Sequence, residues 1–181
     1  KSGDRSDYGS WLAWDSYLID SVGGVPVAVV NKNISQSKNA DYRGSSREGV
    51  FSLGANFEDK LFFGMTIGFP RIEYEETSFY TEEDTDVDHF DFKSFERTES
   101  LKTTGTGVNF KFGMIYKPVD FLRLGLAFHT PTRFDMHDVY NASMTSHFDS
   151  GETYSADPID GEGEYDYNLT TPMKVIGSAA V

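Results

Sequence analysis

Few residues of the sequence could carry out covalent chemistry. The 181 residues include 4 histidines and no cysteine, which excludes thiol nucleophiles, thiolate metal sites and disulfides. The sequence contains no Gly-x-Ser-x-Gly motif, so the histidines have no evident nucleophile to activate. These histidines are His89, His129, His137 and His147. We therefore predict no enzymatic activity, no catalytic residue and no cofactor.

Acidic residues are concentrated in two segments, 70–105 and 131–164. In the first, Asp84, Asp86 and Asp88 alternate as in a calcium loop but lack its glycine and its closing glutamate. We predict no metal site and interpret both segments as solvated loops, with binding of divalent ions as the alternative. The net charge of -13 excludes nucleic acid as a main partner, because binding to its phosphates depends on lysine and arginine.

A third set of residues combines cations with apolar side chains on one face of predicted strands. A cation in a poorly solvated place could bind the carboxylate of a ligand, and neighbouring apolar side chains could line the path of its hydrophobic part. The candidates for this path are Phe62, Ile115, Phe121, Ile176, Lys111, Arg123 and His129, with Lys174 as a further cation. Alternatively, these side chains could pack against a protein segment that fills the space beside this face, and the cations could pair with acidic residues of that segment.

The first acidic segment also contains interleaved aromatic residues. These are Phe79, Tyr80, Phe90, Phe92 and Phe95. A loop that folds over its own rings would present an apolar groove, so we predict a second place at which a hydrophobic ligand is bound.

Alternating apolar residues predict the strands that position these groups. Residues 50–69 are predicted to form a hairpin with its turn at 58–60, and residues 107–130 a second hairpin with its turn at 117–120. A further strand is expected from about residue 165.

The N-terminal part is less regular. Residues 11–20 fit either a strand or a short helix, and residues 25–30 fit a strand. The polar residues 31–49 are expected to cross a surface or to form an exposed strand pair.

Three features of the hairpins favour a membrane β-barrel over a soluble β-sandwich. Short turns alternate with the two long acidic segments, as they do in outer-membrane barrels. The face opposite the apolar one carries glycines instead of charges, and aromatic residues lie near the strand ends, where rings would meet lipid headgroups. We therefore predict an all-β fold, an antiparallel up-and-down transmembrane β-barrel. A soluble β-sandwich that binds a ligand is the alternative.

The number of predicted strands bears on how much of a barrel this sequence supplies. It is smaller than the about eight strands of the smallest closed membrane barrel, so we expect the complete protein to extend further at both ends. No run approaches the roughly eighteen apolar residues of a membrane-spanning helix, and the first residues do not resemble a signal peptide.

Three stretches of the sequence resemble the FadL/TodX family of outer-membrane long-chain fatty acid and hydrocarbon transport proteins, in the form found in Bacteroidetes-type bacteria. They are SLGANFEDKLFFGMTIGF, TGTGVNFKFGMIYKPVDFLRLGLAFHTPTRF and YDYNLTTPMKVIGSAAV. The resemblance covers residues 50–69 and 104–181. The intervening acidic segments and the N-terminal residues add little to it.

This resemblance implies a barrel of about fourteen strands that is plugged by an N-terminal hatch and takes up hydrophobic molecules by passive diffusion. Residues 1–181 would then be part of one barrel domain, without the hatch, its Asn-Pro-Ala motif or the C-terminal strands. The implied location is the bacterial outer membrane, with its lipid and lipopolysaccharide as neighbours. Some family members instead serve type IX protein secretion, which would imply a protein partner.

Overall fold

The computed structural model describes residues 5–30, 33–85, 91–157 and 162–181, with side chains from residue 9 onwards in the first range. Helix α1 covers Arg5–Asp15. The strands are β1 (Ile19–Val22), β2 (Val25–Ala28), β3 (Ile34–Phe57), β4 (Leu61–Asp84), β5 (Phe92–Val119), β6 (Leu122–His129), β7 (Arg133–Phe148), β8 (Thr153–Ala156), β9 (Gly163–Thr170) and β10 (Lys174–Ala180). The predicted all-β fold is confirmed at this level. Within the described ranges, no helix has the length and apolar character needed to cross a membrane.

The strands form two sheets. Strands β1 and β2 make a small antiparallel hairpin, and the other eight strands share one sheet. In that sheet the order is β10-β6-β5-β4-β3, while β7 pairs with β5, β8 and β9. Strand β5 is the longest, with 28 residues, so it can pair with β6 along one part and with β7 along another.

The predicted turn of the first hairpin is confirmed between β3 and β4. Glu58 and Asp59 adopt positive φ values of 50° and 53°, as both central residues of a type I′ hairpin turn do. The Asn56 side chain stabilises it, because its Oδ1 accepts a hydrogen bond from the Asp59 amide at 3.1 Å.

The turn of the second hairpin differs from the prediction. Strand β5 continues to Val119, and its register with β6 shifts between Tyr116 and Val119. The ladder is irregular there because Pro118 has no amide hydrogen to donate. The turn therefore falls after β5, at residues 120–121, and Phe121 lies in it with 70% of its surface exposed.

The two acidic segments that were predicted as long loops are largely strands. Strand β4 runs on to Asp84, and β5 begins at Phe92. The second segment contains β7, β8 and the start of β9. The loop prediction is wrong because a strand can carry charge on its exposed side: on β7, Asp135 and His137 alternate with Phe134 and Met136.

The N-terminal part of the chain contains both helix and strand. Residues 11–20 end helix α1 and begin β1, and residues 25–28 form β2 as predicted. The polar stretch belongs mainly to β3, which is exposed along almost its whole length.

Unit 1 is one of two compact units and comprises Lys1–Arg43, Glu75–Lys102 and Val139–Glu164. Its core consists of buried apolar side chains, with Trp11 and Tyr80 packed against them. They are Leu12, Leu18, Phe92, Phe95, Ala142, Met144 and Ala156. Beside them the buried Ser146 hydroxyl donates a hydrogen bond to the Ser16 carbonyl, which satisfies polar groups that would otherwise destabilise the core.

Unit 2 comprises Gly44–Tyr74, Thr103–Asp138 and Tyr165–Val181, and its sheet has two unlike faces. One, which we call the aromatic face, carries Phe51, Leu53, Phe63, Met65, Phe69, Phe110, Phe112, Leu124, Leu126 and Phe128. The other, the glycine face, carries Gly54, Gly64, Gly68, Gly113 and Gly125 together with Thr66, Lys111, Ile115, His129 and Ile176.

Candidate functional site

The glycine face of unit 2 brings three rows of residues together across β5, β6 and β10. In the first row, Lys111 lies opposite His129, and His129 lies opposite Lys174. The next two rows place Gly113, Ala127 and Ile176, and then Ile115, Gly125 and Ser178, side by side. A row of basic side chains therefore borders a small and apolar surface.

This surface forms a concavity of about 540 Å³. Five of the seven residues predicted for a ligand path line it, namely Phe62, Ile115, Ile176, Lys111 and His129. The depth comes from glycines that carry no side chain: nothing lies within 4 Å of where a Cβ would stand on Gly113. The concavity could hold an apolar chain with an anionic group at the basic row.

Two predicted path residues lie elsewhere. Phe121 belongs to the turn after β5, so its assignment to a strand face is wrong. Arg123 lies opposite Ala180 on β10, one row beyond Ser178, and does not line the concavity.

Glu48 on β3 pairs with the basic row, although the sequence analysis did not predict a role for it. Its two carboxylate oxygens each accept a hydrogen bond of 2.8 Å from the Lys111 Nζ, and Oε1 accepts another of 2.9 Å from the Asn109 Nδ2. Gly68 makes this possible, because a Cβ there would collide with the Glu48 carboxylate. The alternation of β3, which places Glu48 on the same side as Ser52, was the available signal.

Two of the residues predicted to line an aromatic groove are buried instead. Phe92 is fully buried and Phe95 is 9% exposed, and both pack in the core of unit 1 with Leu12 of α1. They therefore line no open groove. Phe79 is 48% exposed, and Phe90 lies outside the described residues.

Tyr80 joins this core to a buried carboxylate. Burial raises the pKa of Tyr80 to about 12, and the hydrogen bond that its hydroxyl donates to Glu82 acts in the same direction. Glu82 is itself 9% exposed and accepts a second hydrogen bond from the Gln36 Nε2 at 2.8 Å.

We expect alkali to destabilise unit 1 through Tyr80. The folded pKa lies above the unfolded value of about 10, so the stabilisation is complete below pH 10 and is lost as the pH rises towards 12. Tyr80→Phe should reduce the decline in the free energy of unfolding over this window, measured by urea titration. Tyr42→Phe, at a position 61% exposed, serves as the control and should leave the decline unchanged; an equal effect of both would contradict the assignment.

In the described part of the chain, no three or more histidine, aspartate or glutamate side chains lie close enough together to hold a metal ion. Of the alternating aspartates, Asp84 ends β4, whereas Asp86 and Asp88 lie outside the described residues.

The aromatic face of unit 2 is exposed, and its apolar stretch has the same length on β4 and β5. Phe51, Met65 and Phe110 are 62%, 58% and 54% exposed. On both β4 (residues 61–69) and β5 (residues 108–116) the apolar stretch covers nine positions, roughly 26 Å along the strand. Beyond it, the same face carries polar residues. On β4 and β5 these are Arg71, Glu73, Thr106 and Thr104.

Between β6 and β7, at residues 130–132, the chain exchanges the faces to which its odd and even positions point. The aromatic face therefore becomes polar on β7 as well. His129 of β6 shares the glycine face with Lys111. On β7 it is Asp138 that reaches this face, where it accepts a hydrogen bond of 2.6 Å from the Thr103 Oγ1. Odd positions on β6 and even positions on β7 therefore share one face, as one inserted residue at a bulge produces.

The reversal turns polar residues of β7 onto the face that is aromatic on β6. There the His137 Nδ1 lies 2.7 Å from an Asp166 oxygen of β9. Conversely, Phe134 and Met136 now lie on the glycine face and are 7% and 6% exposed. A hydrogen bond stabilises the chain at this reversal: the Thr132 amide donates to the Thr171 Oγ1 at 2.9 Å.

Comparison of the sequence with models of known protein families gives no match, and a search of curated proteins finds no relative either.

Proposed function

We propose that the chain forms part of the wall of a bacterial outer-membrane β-barrel that admits hydrophobic molecules, such as long-chain fatty acids or hydrocarbons, without altering them. The observation that carries the proposal is the exposed apolar stretch on the aromatic face, which has the same length on the adjacent strands β4 and β5 and ends in polar residues on both. Membrane strands need about 9–11 residues to cross a bilayer, and the stretch of nine positions on β4 and on β5 meets this length.

The two faces of unit 2 suit different surroundings. In this proposal the aromatic face contacts lipid acyl chains, so its exposed phenylalanine and leucine side chains are not in water. The glycine face then lines the interior, where the concavity beside Ile115 and Ile176 receives the ligand. Transfer of each methylene from water contributes about 0.8 kcal/mol, so affinity would rise with the length of the ligand.

The basic row would orient an anionic ligand. Lys111 already pairs with Glu48, so a ligand carboxylate would have to share or displace this partner. In the described part of the chain Lys174 makes no ion pair, so it offers a cation in the same row without such competition.

Partition between a detergent phase and an aqueous phase tests the membrane assignment. We expect the full chain to enter the detergent phase, because the aromatic face would otherwise remain in water. Recovery of a folded chain from the aqueous phase would favour the soluble sandwich and contradict the proposal.

We expect Ile115→Glu to weaken palmitate binding by the full chain in detergent by at least about tenfold, since burying one such side chain contributes about 1.5–3 kcal/mol. Displacement of a fluorescent fatty acid measures this. Phe121→Glu is the matched control, because it introduces the same charge in the turn, outside the concavity. Equal effects of the two substitutions would show that the concavity is not the binding place.

A further inference from the structure

Two arginines face each other on the aromatic face, just beyond the apolar stretch of β3 and β4. The register of this pair is given by the contact of Ser52 Oγ with Thr66 Oγ1 at 2.8 Å and by the position of Gly44 beside the Tyr74 ring. The same register places Arg47 directly opposite Arg71. Glu48, the next residue, points to the glycine face, so Arg47 lies on the aromatic face.

The like charges of this pair are not compensated. Among the described residues, neither Arg47 nor Arg71 makes an ion pair or a hydrogen bond through its guanidinium group. Glu73 lies on the same face two residues beyond Arg71, yet forms no ion pair with it. Like charges directly opposite each other destabilise a strand pair, and an anion bound between them would remove this cost.

An apolar groove adjoins the two arginines. A concavity of about 370 Å³ on the aromatic face is lined by Phe51, Ile67 and Phe110, among other side chains. Between this groove and Arg47 lies Gly49, where a Cβ would have nothing within 4 Å. A cationic pair, an open position and an apolar groove therefore follow one another along the sheet.

We propose that Arg47 and Arg71 bind a phosphate group on the headgroup of a membrane lipid whose acyl chain lies in this groove. The proposal rests on the proposed membrane location of the aromatic face. Guanidinium groups donate paired hydrogen bonds to phosphate oxygens, and they lie where the apolar stretch ends, which is the depth of a headgroup. The attraction for an anion comes from this arginine pair alone, since the chain as a whole carries a charge of -13 and repels anions.

Native mass spectrometry of the full chain in detergent tests the site with two lipids of identical acyl chains, phosphatidic acid and phosphatidylcholine. We expect a preference for phosphatidic acid that falls about 30-fold in the double variant Arg47→Gln/Arg71→Gln, given the usual contribution of a basic residue at a lipid surface. Arg47→Lys/Arg71→Lys keeps both charges but loses the paired hydrogen bonds, so it should retain part of the preference.

Arg123→Gln is the matched control, because it removes a positive charge on the glycine face, near the short turn. It should leave the lipid preference unchanged. If the chain enters detergent but the Arg47/Arg71 double variant keeps the full preference, the lipid site is overturned while the proposed function stands. If inorganic phosphate displaces phosphatidic acid at equal concentration, the site binds a free anion and the lipid assignment fails. A chain that stays in the aqueous phase overturns the proposed function and this site with it.

Discussion

Replacing Phe92 by alanine should lower the free energy of unfolding of unit 1 by about 3–5 kcal/mol. Phe92 is fully buried, and its ring centre lies 6.4 Å from that of Phe95 and 6.5 Å from that of Phe148. The substitution removes apolar surface from the core, leaves a cavity, and breaks two aromatic contacts that add to the cost.

Urea unfolding followed by tryptophan fluorescence measures this effect selectively. The sequence contains 2 tryptophans, Trp11 and Trp14, and both lie on α1 in unit 1. Trp11 packs against the core that contains Phe92, so its emission reports the loss of that core. Phe79→Ala, at a position 48% exposed, removes the same side chain from the surface and should cost much less. A loss below about 1 kcal/mol for Phe92→Ala would contradict the central position of this ring.

The hairpins could be predicted from the sequence because their two faces differ so strongly. Residues 50–69 and 107–130 alternate between large apolar and small residues, and only a strand gives that period. The acidic segments were misread as loops because their exposed side carries charge, which lowers the mean hydropathy of the whole window. In the second segment the alternation was nevertheless present, with Phe134, Met136, Tyr140 and Met144 at even positions of β7.

The candidate site was partly predictable for the same reason. Ile115, Ile176 and Lys111 were assigned to one face by alternation, and strand register then brought them into one concavity. Register itself was not available from the sequence. Glu48 was therefore missed, since its contact with Lys111 joins residues 63 positions apart in the chain.

The reversal of faces at residues 130–132 could not be foreseen either. It depends on one inserted residue beside Pro131, and a bulge leaves the local composition unchanged. Its effect is to turn Asp135 and His137 of β7 onto the face that carries Phe128 on β6. Without the reversal, Phe134 and Met136 would lie on that face, and the apolar stretch would continue past the level at which it ends on β4 and β5.

Replacing Met65 by arginine should destabilise the folded chain in phospholipid vesicles by about 2–4 kcal/mol. Met65 lies at the middle of the apolar stretch on β4 and is 58% exposed, so in the proposed setting its side chain contacts acyl chains. An arginine at the bilayer midplane loses its hydration without gaining a partner. A urea titration of the vesicle-bound chain measures the change.

Thr66→Arg is the control that makes the result decisive, because it adds the same charge at the next residue, on the glycine face. There the cost should be limited to the lost hydrogen bond with the Ser52 hydroxyl, about 1 kcal/mol. In water, by contrast, a substitution at an exposed position such as Met65 usually changes stability by no more than about 0.5 kcal/mol. Arginine at residue 65 should therefore cost more than arginine at residue 66 if the aromatic face meets acyl chains and the glycine face does not. Equal and small effects would therefore remove the membrane from the explanation of the aromatic face.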